Sequence, residues 1–290
     1  MSLLPVQFQF SQRSLQDYMD CRRRFQLRYL KHLAWPAVEA EPVLEHEHRM
    51  QVGAEFHRLI HRHLLGVPDE RLSAMLESDR SSNEDLQRWW QNYLQYDGNM
   101  TGFSEPVAPD NNILVEATLS APIGAFRLLA KYDLIRWFDS EAGTKVLIID
   151  WKTSQKVPPR EWLADRLQTR VYPYLLTQAG VPGEKLSPDQ IEMLYWFAEH
   201  PQEPQRFPNS SQQYQSDRDY LSGLVSEIEN LDEGDYYLTP DESHCKYCTY
   251  RSLCDRGIGA GSLDQDDLYQ ESDGVDEFEL DFDQIAEIEF

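Results

Sequence analysis

The sequence lacks both a long apolar segment and a glycine-rich phosphate-binding loop. No stretch of its 290 residues approaches the length of a membrane span. Residues 1–5 (MSLLP) lack the basic, apolar and cleavage regions of a secretory signal. No P-loop pattern occurs, so any ATPase or helicase activity must come from a partner. We therefore expect a cytoplasmic protein that makes no use of a membrane.

Basic residues are scarce. The chain has 27 Lys and Arg against 50 Asp and Glu, a net charge of −23. Such acidity argues against a nucleic-acid partner, because phosphate binding usually requires a basic domain. However, residues 257–290 contain 12 Asp or Glu and no Lys or Arg, and a binding groove needs only local positive charge. Basic residues that we expect near a functional site are Arg22, Arg23, Arg24, Arg58, Arg62, Lys156, Arg160, Arg166 and Arg170.

Cysteines are few, and their spacing is uneven. Cys21 lies far from Cys245, Cys248 and Cys254, which form a C-x2-C-x5-C pattern. In a cytosolic chain such residues are thiols or metal ligands rather than disulfides. Zinc is one candidate, with His244 as a substitute for one thiol, although zinc sites usually join two close pairs. A metal centre held by all four cysteines would close a loop of 224 residues. In the cross-link model this closure stabilises the folded protein by on the order of several kcal/mol, which indicates a structural role.

The central pattern is a short apolar run, residues 146–152 (VLIIDWK), which predicts a buried strand. On a strand, Asp150 and Lys152 share one face and Trp151 takes the other. Residues 128–137 predict a second strand that carries Asp133, and the turn-rich link between the two predicts a hairpin. The hairpin would bring the Asp133 and Asp150 carboxylates together. A divalent metal would then balance the cost of burying charge there.

Helices and strands surround this hairpin in the prediction. A first helix begins near Ser11 or Ser14 and contains Cys21. A second, over about 45–65, places His57 and His61 on one face. A third covers 85–94. A strand over 113–119 carries Glu116, and a helix that begins at Pro158-Pro159 places Gln168 and Tyr172 on one face. A strand over 191–197 and a helix over 220–231 follow.

These motifs together resemble the PD-(D/E)XK nuclease superfamily, with Asp133 as the first acid and Asp150-Trp151-Lys152 as the D-x-K element. Three further patterns resemble its RecB and AddB branch. Gly53 and His57 match an early Gly-x-x-x-His helix, and Gln168 and Tyr172 match a Gln-x-x-x-Tyr helix. The four cysteines resemble the iron-sulfur clasp of AddB-type and CRISPR-associated RecB-like exonucleases. The sequence departs from the pattern at Ala130, where Gly is frequent, and at Leu134, where Arg is frequent.

The resemblance implies a restriction-endonuclease-like α/β fold, a mixed central sheet flanked by helices, over residues 1–256. It implies that His57, Asp133, Asp150 and the Trp151 carbonyl hold Mg2+ or Mn2+. Glu116 and Lys152 would act at the site, with Lys152 orienting water or stabilising charge. Gln168 and Tyr172 would contact DNA, and Cys21, Cys245, Cys248 and Cys254 would hold a 4Fe-4S cluster. The implied activity is exonucleolytic hydrolysis of single-stranded DNA or DNA ends that leaves 5′ phosphates, in repair, recombination or CRISPR-type processing, with a helicase or other protein as partner.

Two other functions fit parts of the sequence. A catalytically silent DNA-binding or scaffold subunit of a helicase-nuclease complex would suit the acidic charge. A zinc-stabilised protein-interaction module would explain the cysteines, yet it would leave the Asp-x-Lys strand without a purpose. Residues 257–290 alternate acids with apolar residues and are too acidic to fold alone, so they predict a disordered or partner-bound tail. Competition between this tail and nucleic acid for the groove is a further hypothesis.

Overall fold

A computed structural model describes residues 3–34, 41–78, 84–100, 112–140 and 143–257. The predicted acidic tail lies almost entirely outside these ranges. Within them, no helix is long and apolar enough to cross a membrane.

A six-stranded mixed sheet forms the centre of the fold. Its strands are β1 (Gln9–Ser11), β2 (Ile113–Ile123), β3 (Phe126–Ser140), β4 (Gly143–Lys152), β5 (Ile191–Phe197) and β6 (Gln205–Pro208). The order is β1-β3-β4-β5-β6, with β2 paired to β3. The β1–β3 and β4–β5 pairs are parallel and the other pairs are antiparallel. Strand β3 is the longest, and it pairs with three others.

The described helices are α1 (Gln12–Asp20), α2 (Arg22–Phe25), α3 (Glu41–Leu64), α4 (Asp69–Ser78), α5 (Glu84–Met100), α6 (Arg160–Asp165), α7 (Leu167–Ala179) and α8 (Ser211–Glu229). A π-helical turn, Gln26–Leu30, continues α2. Three short 3-10 turns occupy Pro188–Gln190, Glu233–Asp235 and Glu242–Cys245.

The sheet separates two hydrophobic cores. On one face, Val146, Ile148 and Tyr195 pack in a core shared with α1, α7 and α8. On the other face, Ile149 and Trp151 join the aromatic side chains of α3 and α5. This alternation is the period-2 pattern of a strand buried on both faces. It follows that β4 directs Asp150 and Lys152 towards the α7 layer.

The predicted strands at 128–137, 146–152 and 191–197 are confirmed, as are the hairpin and the helices around His57, at 85–94 and at 220–231. The sequence did not indicate β1, β6 or α4. Two helix predictions were wrong in detail. Cys21 does not lie within a helix, because its extended backbone (φ −162°, ψ 108°) ends α1 and precedes α2. The helix after Pro159 breaks at extended Arg166, so it forms α6 and α7.

Helix α1 begins where one of the two predicted caps places it. The Ser11 side chain accepts a hydrogen bond from the backbone N–H of Ser14, and the Ser14 hydroxyl accepts one from the N–H of Ser11. This reciprocal capping satisfies two backbone donors that a helix start otherwise leaves unpaired. Strand β1 therefore passes directly into α1, and α1 delivers Cys21 to the protein surface.

Candidate metal and nucleic-acid site

The candidate site begins where β3 and β4 separate. Their pairing runs from Ser140 and Gly143 to Leu134 and Ile149 and goes no further along β3. Leu134, the last paired residue of β3, packs on one face of the sheet, whereas Tyr132 packs on the other. Residues two apart on a regular strand share a face, so the alternation of side chains along β3 is broken at Asp133. The Trp151 backbone N–H donates a hydrogen bond to Asp133 Oδ2 at 2.9 Å. A side chain thus replaces a ladder bond at the point where the sheet opens.

Strand β2 is also distorted at this point. Val115 pairs with Leu134 and Ala117 with Tyr132, which places Glu116 opposite Asp133. Glu116 has a φ of 50°, in the left-handed region that L-residues other than Asn and Asp rarely adopt. Strain of this kind is concentrated at functional sites and persists only where surrounding structure holds it. An ion pair of 2.7 Å joins Glu116 Oε2 to Lys131.

Helix α3 brings the third member of this group. His57 Nδ1 lies 3.5 Å from Asp133 Oδ2, and both side chains are partly buried. One ligand atom each of His57, Glu116 and Asp133 lies within 4.8 Å of the other two. An imidazole nitrogen with two carboxylates is a donor set suited to Mg2+, Mn2+ and related divalent ions. The three residues therefore fit a divalent cation, and we call them the carboxylate-histidine group.

Charge inside this group shifts two pKa values in opposite directions. Burial lowers the pKa of His57, but the negative charges of Asp133, Asp150 and Glu116 outweigh burial and hold that pKa above its usual range. Burial raises the pKa of Asp133, but the His57 charge and the Trp151 N–H outweigh burial and hold that pKa below its usual range. The Asp133 carboxylate therefore stays ionised, ready to bind a cation.

Asp150 and Lys152 form a second group on the adjacent strand. Lys152 Nζ lies 2.8 Å from Asp150 Oδ2, with each side chain 5% exposed or less. Gln168, from α7, joins both: its Nε2 donates to Asp150 Oδ1 at 2.6 Å, and its Oε1 accepts from Lys152 Nζ at 2.9 Å. Buried charges persist only when paired and hydrogen-bonded in this manner.

Two tyrosines complete the surroundings of the lysine. The Tyr172 backbone carbonyl accepts a hydrogen bond from the Tyr132 hydroxyl at 2.9 Å, and the Tyr172 pKa is raised by burial and by Asp150 and Asp133. The Tyr195 ring centroid lies 5.5 Å from Lys152 Nζ, because Tyr195 pairs with Asp150 across β4 and β5. Sequence reasoning missed Tyr195, although the predicted strand at 191–197 was a signal that a neighbour of β4 could contribute.

The predicted site residues thus come together as two adjacent groups. Glu116 belongs with His57 and Asp133, whereas Asp150 is held by Lys152 and Gln168. Among the described residues, His61 is not part of the carboxylate-histidine group.

The four cysteines line one partly open pocket, together with Arg24, His244 and Tyr250. Cys21 reaches it from the end of α1, and the other three come from the turns at 245–254. Within the described residues, no three cysteine sulfurs lie within 4.8 Å of one another. Burial raises the pKa of the Cys245 and Cys254 thiols, and neighbouring cysteine sulfurs add to the increase. A positive metal centre would reverse that effect.

One arginine of the 22–24 triplet lies at the cysteine pocket, whereas the sequence predicted that all three would lie near the candidate site. Arg24 lines the cysteine pocket, pairs with Asp17 at 2.7 Å and donates a hydrogen bond to the His244 carbonyl. Arg22 pairs with Glu227 at 2.5 Å. His244 also lines the pocket, but its ring nitrogens lie 3.8 and 3.6 Å from Asp20 and Asp241.

Comparison with known proteins identifies the family. Among solved structures, the chain is similar to a protein from Eubacterium rectale described as a "Putative exonuclease", with 9% identity, a TM-score of 0.47, and coverage of 89% of this chain and 92% of the other. No curated protein matches the chain. A family model for the PD-(D/E)XK nuclease superfamily matches residues 9–255, which span β1 through the last cysteine. The chain belongs to the PD-(D/E)XK nuclease superfamily.

Proposed function

We propose that this protein is a Mg2+- or Mn2+-dependent deoxyribonuclease of the RecB and AddB type, an exonuclease that acts on single-stranded DNA or DNA ends. Its products would carry 5′ phosphates. The observation that carries the proposal is the position of the carboxylate-histidine group beside the buried Asp150–Lys152 pair. Superfamily membership supplies the reaction class, phosphodiester hydrolysis.

The residues have separable roles in this proposal. His57, Glu116 and Asp133 would hold the cation together with Asp150 and the Trp151 carbonyl. When bound, the cation would polarise the phosphate and lower the pKa of an attacking water. Lys152 would hold that water or stabilise negative charge on the phosphoryl oxygens. Gln168 orients both Asp150 and Lys152, so its role is positioning, and Tyr172 would contact the nucleic acid.

We further propose that the cysteine pocket holds a 4Fe-4S cluster. Four thiolates supply its usual ligand set. Zinc sites usually join two close pairs of ligands, whereas one distant cysteine with a C-x2-C-x5-C pattern departs from that arrangement, which supports the cluster over a single zinc ion. Held in this way, α1 and the 245–254 turns would be cross-linked, which gives the cluster a structural role.

The test is Mn2+-dependent degradation of end-labelled linear and circular single-stranded DNA by anaerobically purified protein. Lys152→Ala should abolish degradation. Lys145→Ala is the matched control, because Lys145 lies near the opposite end of the same strand, is only partly buried, and donates a hydrogen bond from its Nζ to the Asp189 carbonyl at 3.1 Å. Loss of linear DNA alone would establish an exonuclease. Equal inactivity of wild type and Lys152→Ala, with the metal centres intact, would overturn the proposal and favour a silent DNA-binding subunit.

A further inference from the structure

Trp162 differs from the other tryptophans that the structure describes. Five of these six are buried, whereas Trp162, on α6, is 46% exposed. The Arg166 guanidinium carbon lies 4.8 Å from the centroid of the Trp162 ring. A cation at this distance is attracted to the ring face and limits its rotation. The protein thus keeps a large aromatic ring in the solvent, held from one side.

The position of α6 places this pair beside the candidate site. Residues 153–166 connect Lys152, at the end of β4, to α7, which begins just before Gln168. Arg166 is also close enough to Tyr195 for its charge to oppose the raised pKa of that hydroxyl. The Tyr195 ring in turn lies 5.5 Å from Lys152 Nζ. Trp162 and Arg166 therefore belong to the segment that joins Lys152 to Gln168, two residues of the candidate site.

The surroundings add positive charge and a second ring. The Arg160 guanidinium carbon lies 4.4 Å from the centroid of the Phe207 ring and its Nη2 donates to the Arg206 carbonyl. The acid that precedes Arg166, Asp165, is 3.3 Å from Arg170 and so is partly neutralised. Aromatic rings interleaved with arginines are the features with which proteins bind unpaired nucleotides. An apolar protein partner would not require the arginines.

We propose that Trp162 and Arg166 form a base-stacking subsite for single-stranded nucleic acid at the mouth of the candidate site. The ring receives one unpaired base, and Arg166 supplies charge to the adjacent phosphate. Inside a duplex the base faces are covered by stacking on one another, whereas an unpaired base can offer its face to the ring. The inference rests on the proposed nuclease function and specifies its substrate as single-stranded at this position.

Equilibrium binding of a fluorescein-labelled oligothymidylate to the full chain, in EDTA so that no cleavage occurs, tests the subsite. Trp162→Ala should weaken binding on the order of tenfold, the effect of losing one stacked base, and Trp162→Phe should recover most of it. Arg166→Ala should lower the slope of log affinity against log salt by about one. Tyr237→Ala is the matched control, because Tyr237 is also an exposed aromatic residue beside an arginine: it is 55% exposed, and the Arg22 guanidinium carbon lies 5.1 Å from its ring centroid.

An abasic scan separates stacking from a folding defect. Moving one abasic nucleotide along the oligonucleotide should reveal a position that weakens binding to wild type and has no effect on Trp162→Ala. Equal profiles for both proteins, or Tyr237→Ala as damaging as Trp162→Ala, would overturn the subsite. If the wild type cleaves DNA while these tests fail, only the subsite is refuted. If the wild type neither binds nor cleaves DNA, the proposed function itself fails.

Discussion

Glu116 and Asp133 face each other across a gap in the β2–β3 pairing, between the Val115–Leu134 and Ala117–Tyr132 pairs, and the φ of 50° at Glu116 takes it out of the strand conformation. The register is the same on both sides of it, so the distortion adds no residue and shifts no neighbour. The distortion accompanies a close approach of three side chains, since the Glu116, Asp133 and His57 ligand atoms lie within 4.8 Å of one another. We infer that the strained backbone is held to direct a carboxylate at the cation.

Glu116→Gln should weaken Mn2+ binding at least about tenfold, because a ligand charge is lost while the shape of the side chain is kept. Isothermal titration calorimetry of the wild type and variant measures the change. Glu192→Gln is the control, since Glu192 lies on β5 in an ion pair with Arg206. Equal affinities for the wild type and Glu116→Gln would exclude Glu116 from the cation site.

Glu116→Gly should make the metal-free protein more stable while weakening metal binding. Glycine adopts a positive φ without the steric cost that Glu bears, and we expect the free energy of unfolding to rise by about 1 kcal/mol. Denaturant unfolding in EDTA measures it, and Glu116→Gln, which keeps the backbone cost, should show no such gain. A less stable Glu116→Gly protein would mean that the backbone at this position is not strained.

The affinity for a metal should decrease as the pH is lowered, because His57 becomes protonated. Its pKa is raised above the usual 6.5 by the surrounding acids, and only the neutral imidazole binds a metal. Affinity for Mn2+ should therefore decline by up to about tenfold per pH unit below that raised pKa. In the metal-free protein the sign is opposite: the stabilising charge pair with Asp133 is complete below the unfolded pKa and is lost as pH rises through the folded pKa.

His57→Asn separates these effects. It should bind Mn2+ weakly at every pH and should lose the proton-linked part of both curves. Calorimetric titrations between pH 5 and 8 check the metal curve, a range chosen to bracket the ordinary histidine pKa of about 6.5. A wild-type affinity that does not change across this range would contradict a ligand role for His57.

Gln168→Leu should reduce kcat and leave the KM for DNA nearly unchanged, because Gln168 orients Asp150 and Lys152. It should also lower the free energy of unfolding by about 1–3 kcal/mol, since two buried charged groups each lose a partner. Gln178→Leu, on the same helix, is the control, as Gln178 bonds the Tyr214 hydroxyl at an exposed position. An unchanged kcat in Gln168→Leu would refute the positioning role.

Cys21→Ser should remove the cluster and lower the melting temperature, because it breaks the link between α1 and the 245–254 turns. The loss in the free energy of unfolding should be several kcal/mol, on the order expected for closure of a long loop. Iron content and the visible absorbance of anaerobically purified protein measure the cluster. A colourless wild type that contains zinc would contradict the iron-sulfur proposal and leave the cross-link itself in place.

Sequence reasoning succeeded where the chemistry is local. The β3–β4 hairpin follows from an apolar run, a turn and a second run, and the Asp150–Lys152 pair follows from two-residue periodicity. These features depend on residues close together in the chain. The resemblance to the RecB and AddB branch, rather than a local pattern, selected Gln168 and its i, i+4 partner Tyr172.

It failed where distant segments decide the outcome. The positive φ of Glu116 occurs on β2 beside the point where β3 and β4 separate, an arrangement of three strands that no local propensity records. Cys21 was placed within a helix because Leu15, Tyr18 and Phe25 continue the apolar stripe, whereas the cysteine pocket requires the chain to change direction there. Trp162 carries no signal in the sequence, since its exposure depends on where α6 packs.

The cysteine pocket also constrains how the protein is made. Cys21 is synthesised early, but the other three cysteines of the pocket follow more than two hundred residues later. Until then Cys21, at the end of α1, lacks the cysteines of the 245–254 turns. A cofactor held by all four cysteines would therefore be fully ligated only after the last strand, β6, has been synthesised. A chain truncated before Cys254 would lack one of the four ligands.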